Sequence, residues 1–94
     1  MARVTLVARV EQDLARILEH LEQHAAAERP ARIRATLAAI DILATSPLIG
    51  RPVGADLREL VIGHAAQGCV ALYQYLPAFD RVLVLAIRSQ RESG

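Results

Sequence analysis

Arg81-Val82-Leu83-Val84-Leu85-Ala86-Ile87-Arg88 is the stretch on which the fold turns. Six apolar residues between two arginines are far too few to span a bilayer, which takes about 20 in a helix. A short apolar run without polar alternation reads as a strand in the middle of a sheet, covered on both faces. Pro77-Ala78-Phe79-Asp80 precedes it, a four-residue loop of hairpin length. Before that loop, Cys69 to Leu76 reads as a second strand and Leu57 to Ile62 as a third, with Gly63 to Gly68 between them. Leu48-Ile49-Gly50-Arg51-Pro52-Val53-Gly54 is rich in turn residues and reads as a loop.

The N-terminal half is helical after one more strand. Arg3 to Ala8 carries the β-branched Val4, Thr5 and Val7. Glu11 to about Ala27 then shows helical periodicity, with Leu14, Ile17, Leu18, Leu21 and Ala25 on one stripe. Pro30 suits the first turn of a second helix, buried along Ile33, Leu37, Ile40 and Leu43 or Ala44. Ser46-Pro47 ends that helix, because the residue before proline is pushed out of the α region. The order β-α-α-β-β-β predicts an α+β fold, one antiparallel sheet with a helical hairpin on one face. Its 94 residues suffice for a single domain, 1–94, burying roughly two thirds of its unfolded surface.

This architecture leaves a face uncovered. Val82, Val84 and Ala86 point one way and Leu83, Leu85 and Ile87 the other, yet two helices cover one side of a sheet. Leaving three aliphatic side chains partly wet costs a few kcal/mol at about 25 cal/mol per Å². Whichever set lies open, with Leu83 or Val84 at its centre, is expected to meet a partner. The free chain is accordingly expected to be poorly soluble or to self-associate until a partner covers this face.

Composition narrows the chemistry. The 53% apolar and 22% charged content excludes a disordered chain. One cysteine excludes a disulfide framework and a cysteine-based zinc finger. MARVTLVARVEQDL shows no secretory signal, so a cytoplasmic location is expected. Net charge of +1 argues against direct sequence-specific DNA binding by this chain alone. All eleven basic residues are arginine, which reads as coding bias and leaves no Walker-type lysine for nucleotide hydrolysis. His20 and His24 have metal-ligand spacing but no third ligand, and read as a solvated helix face. His64 has no partner in sequence, and Cys69 reads as a small buried hydrophobe. No catalytic residue, metal or cofactor is expected. Arg58, Arg88 and Arg91 are candidates for one strand-borne patch that grips carboxylates or phosphates, against a bland reading as solubilising strand-edge charges.

Taken together, several strings resemble the RelE/ParE superfamily of bacterial type II toxins. They are Ser46-Pro47-Leu48-Ile49-Gly50-Arg51-Pro52, Leu57-Arg58-Glu59-Leu60-Val61-Ile62-Gly63, Tyr73-Gln74-Tyr75, Val82 to Arg91, and Asp13-Leu14. The resemblance spans nearly the whole chain and agrees with the element order above. RelE-like members cut messenger RNA in the ribosome with a basic cluster and a tyrosine or histidine near the C-terminus. ParE-like members share the fold and poison DNA gyrase. Here Val61 or Ile62 stands where the nucleases keep an arginine, and Gly94 follows Arg91 by three residues with no terminal acid or base. Arg91 matches a basic position of both branches. Phosphodiester transfer needs a proton acceptor and a donor besides charge stabilisation, so the resemblance implies a ParE-like gyrase inhibitor and weighs against an enzyme. It also implies a cognate antitoxin, ParD-like or similar, in a hetero-oligomer. The residues implied to bind antitoxin or target are Arg51, Arg58, Tyr73, Leu83, Val84, Arg88 and Arg91. A ribosome-dependent endoribonuclease and an inert antitoxin-binding relative are the alternatives.

Overall fold

The structure is a computed structural model and describes residues 1–24, 29–63 and 68–89. In chain order its elements are β1 (Arg3–Leu6), α1 (Ala8–His24), α2 (Arg29–Ile42), β2 (Arg51–Gly54), β3 (Leu57–Ile62), β4 (Cys69–Leu76) and β5 (Arg81–Ser89). The strands form one sheet in the order β1-β5-β4-β3-β2, so the apolar run at 82–87 is interior to the sheet. The α+β architecture and the order of elements follow the sequence reading. No helix of the described residues is long and apolar enough to cross a membrane.

Two features of the sheet go beyond that reading. It is mixed: β1 lies parallel to β5, in the register Arg3↔Arg81 to Leu6↔Val84. Both strands start at the same end, where the Arg3 N–H donates to the Asp80 carbonyl (2.9 Å), and the Val7 N–H donates to the Val84 carbonyl (3.1 Å). It also has a fifth strand, because Arg51–Gly54, expected as loop, pairs antiparallel with β3 across a two-residue turn at Ala55-Asp56. Pro52 signals a loop, but at a sheet edge its missing N–H costs no ladder bond. β4 and β5 are joined by a 3₁₀ turn at Pro77–Phe79 and by Asp80 in the left-handed region (φ 48°).

The buried lines of the helices overlap the stripes the periodicity suggested at Ile17, Ile40 and Leu43, while the side chains of Leu18, Leu21, Ala25 and Ile33 lie outside what the structure describes. α1 starts three residues early, and its buried line is Val10, Asp13 and Ile17, with Leu14 half-buried. In α2 the buried line is Thr36 and Ile40, continued by Leu43 in the following turn, while Leu37 is 46% exposed. Thr36 sits four residues before Ile40 and seven before Leu43, so the helix turns this seam inward and carries Leu37 about 100° round. Beneath the helices the core gathers Ile62, Cys69, Ala71, Tyr73, Val82, Val84 and Ile87 from the sheet. Cys69 is buried, as a small hydrophobe would be.

Candidate functional site

The register of the sheet divides its side chains between the core and the open face. Leu60, Ala71 and Ile87 are neighbours across β3, β4 and β5, and Ala71 and Ile87 belong to the core. Alternation then places Leu57, Glu59 and Val61 of β3 and Val70, Leu72, Gln74 and Leu76 of β4 on the opposite face. On β5 the same face takes Leu83, Leu85 and Arg88, and its end beside β1 takes Arg3 and Arg81. No element among the described residues lies over it. Its centre is aliphatic, Leu57, Val61, Leu72, Leu83 and Leu85, and Val61 is 55% exposed. Its ends are cationic. Glu59, at the β2 side, accepts a hydrogen bond from Arg51 Nη2 (2.9 Å). That exposed ion pair contributes about 0.2–1 kcal/mol.

This geometry sorts the residues expected to bind a partner. Leu83 is on the open face. Val84 is not: one position along, it points under the helices and is fully buried. Arg58 and Arg88 do not form one patch. Arg88 is exposed on the open face opposite Val70, whereas Arg58 pairs with Tyr73 on the helix side. There Arg58 Nη1 donates to the carbonyl oxygens of Leu48 (3.1 Å) and Gly50 (2.7 Å), so its guanidinium holds the chain before β2. Arg51 is exposed at the rim. Arg91 and His64, and the side chains of His20 and His24, lie outside what the structure describes. Leu57, Val61 and Leu72 escaped the sequence reading, although each follows from Leu83 once strand register is known; Leu85 stood in the alternate set with Leu83.

Tyr73 is not a surface residue either. It is fully buried, and its Oη accepts the Gly50 N–H at 2.8 Å. Gly50 is close enough that a Cβ there would lie 2.6 Å from Tyr73 Cε1 and 2.8 Å from the Glu59 carbonyl oxygen. Gly50, Arg58 and Tyr73 therefore form one clasp, which explains why a Gly-Arg-Pro turn, a strand arginine and a strand tyrosine occur together. Tyr73→Phe leaves the buried Gly50 N–H without an acceptor, an expected loss of about 1–3 kcal/mol. For a domain this size that is a fall in Tm of roughly 5–20 °C, read by thermal unfolding.

Among the described side chains the open face's only carboxylate is Glu59, already bonded to Arg51. Both tyrosines lie on the other side, and Tyr75 donates its hydroxyl to Asp80 Oδ1 (3.4 Å). No three His, Cys, Asp or Glu among the described residues stand close enough to hold a metal ion.

Comparison with known structures gives the same fold at low identity. The chain is similar to a chain of the chromosomal ParDE TA system from P. aeruginosa, at 15% identity and a TM-score of 0.78, covering 95% of this chain and 96% of that one. It is also similar to a chain of the intact E. coli RelBE toxin-antitoxin complex, at 15% identity and a TM-score of 0.57, covering 95% and 96%. A third likeness is to a metal-bound toxin from Helicobacter pylori, at 12% identity and a TM-score of 0.52, covering 98% of each chain. No curated protein sequence matches. The family model for the ParE toxin of type II toxin-antitoxin systems, parDE, matches residues 4–94. With that match over almost its full length, and with the helical hairpin on a five-stranded sheet, the chain belongs to the ParE toxin family of type II toxin-antitoxin systems.

Proposed function

We propose that this toxin arrests growth by inhibiting DNA gyrase, and that a cognate antitoxin neutralises it by covering the open sheet face. The observation that carries the reading is the aliphatic centre of that face, Leu57, Val61, Leu72, Leu83 and Leu85, an apolar surface suited to a protein partner. Arg3, Arg81 and Arg88 at its ends suit a partner whose apolar residues are flanked by carboxylates. An interface of standard size buries about 800 Å² on each side, within reach of a five-stranded sheet. The likeness to chains of a ParDE toxin-antitoxin system and of a RelBE toxin-antitoxin complex supports an antitoxin as the partner.

The test is expression of the chain alone in bacteria. Growth arrest with filamentous cells, an induced DNA-damage response and intact messages is the expected result. Arrest with cleaved messages and undamaged chromosomes overturns the reading in favour of a ribosome-dependent nuclease. Harmless accumulation of folded protein points to an inert antitoxin-binding relative.

A further inference from the structure

Along β5 the side chains do not alternate to the end. Val82 and Val84 point into the core and Leu83 to the open face; continued alternation would send Ala86 and Arg88 inward and Ile87 outward. Instead Ile87 is fully buried beside Ala71, and Arg88 is exposed beside Val70. The cause is a β-bulge. Tyr73 pairs with Val84 and Leu72 with Ala86, leaving Leu85 as the extra residue. One common class of bulge is held by a glycine in the left-handed region, but 85–87 contains no glycine. Among described non-glycine residues only Asp80 has a positive φ. A tertiary contact stands at the bulge in place of a local device. Asp13 reaches from α1 to accept the Ile87 N–H on Oδ2 at 3.0 Å, a tie across 74 positions of sequence.

Asp13 is only 2% exposed and the one buried carboxylate among the described side chains. Arg16 Nη1 donates to its Oδ1 at 3.2 Å, and Arg9 Nε lies 3.7 Å from Oδ2, so the charge is compensated at the core's edge. A buried carboxylate is costly to keep unless it has work in the fold. We propose that Asp13 is a positioning residue: by holding the Ile87 amide it fixes the bulge at Leu85 and thereby turns Arg88 onto the open face. The functional half of this inference rests on the reading of that face as the antitoxin surface.

The experiment compares the full chain with Asp13→Asn, which keeps an acceptor oxygen, and Asp13→Leu, which keeps volume without one. Nuclear Overhauser contacts of the Val70 methyls report the phase of β5 directly. With the bulge Val70 faces Arg88; without it the register slides and Val70 faces Ile87. The wild type and Asp13→Asn are expected to show Val70–Arg88 contacts, and Asp13→Leu to show Val70–Ile87 contacts. Persistence of Val70–Arg88 contacts in folded Asp13→Leu overturns the proposal. Should that variant fail to fold, deletion of Leu85 in the same chain removes the extra residue that the tie holds. Regular pairing then brings Val70 opposite Arg88 without help, so the double variant is expected to fold with Val70–Arg88 contacts. A double variant no better folded than Asp13→Leu overturns the proposal equally. The second readout is antitoxin affinity. Arg88→Ala is expected to weaken it at least five-fold in the wild type, in Asp13→Asn and in the double variant, and less than two-fold in folded Asp13→Leu. No effect of Arg88→Ala in the wild type, with the contacts behaving as expected, refutes the antitoxin reading of the face and leaves the tie standing.

Discussion

Val84→Asp is expected to leave no folded toxin, whereas Leu83→Asp, one residue away, is expected to leave the fold intact and abolish the antitoxin complex. Val84 is fully buried between β1 and β4, beneath the helices. A carboxylate there has no partner, and an uncompensated buried charge costs about 3–5 kcal/mol before lost packing is counted. Native domains have about 5–15 kcal/mol in total, and one this small sits toward the lower end. Leu83 looks out from the same strand, half-buried among open-face neighbours, and an aspartate there stays hydrated. In the complex it would lie under the apolar centre of the interface, where desolvating one charge removes several kcal/mol of affinity. Circular dichroism separates the two variants by fold, and co-purification with antitoxin separates them by function. A folded Val84→Asp would place the core wrongly, and an intact complex with Leu83→Asp would place the partner wrongly.

Gly50→Ala is the second large effect. The new methyl must enter space already held by the Tyr73 ring and by the Glu59 carbonyl, contacts of 2.6 and 2.8 Å. The ring sits in the packed core and the carbonyl is backbone, so neither yields cheaply. Overpacking costs about 1–3 kcal/mol, and separating Gly50 from Tyr73 Oη adds a buried N–H without an acceptor, about 1–3 kcal/mol more. A loss of about 3 kcal/mol or greater is therefore expected in urea unfolding. Gly50→Ala and Tyr73→Phe should be strongly non-additive, because both break the same contact. Independent costs in the double variant would show that the clasp is not a unit.

The contrast between Leu83 and Val84 also shows what was legible in the residues. The uninterrupted apolar run announced a central strand, and counting two helices against two sheet faces announced an uncovered one. Which alternate set lay open was not legible. It depends on register across three strands, and past Val84 the phase changes at a bulge that Leu85-Ala86-Ile87 does not advertise. The tie that holds it comes from Asp13, which in sequence is one acidic residue among several on α1. The clasp that Arg58 and Tyr73 make with the chain before β2 was not legible for a related reason. Their partners are backbone atoms of Leu48 and Gly50, and main-chain partners leave no trace in residue type. Pro52 concealed β2 because its loop signal holds for central strands and lapses at an edge.

Which surface the antitoxin covers is the central question, and methyl spectra of leucine-labelled toxin titrated with antitoxin measure it directly. Leu57, Leu72, Leu83 and Leu85 report from the open sheet face, and Leu37 and Leu48 report from exposed sites elsewhere. The predicted result is large shifts at the four sheet leucines with Leu37 and Leu48 unmoved. A saturated complex that shifts Leu37 or Leu48 and leaves the sheet leucines in place would contradict it.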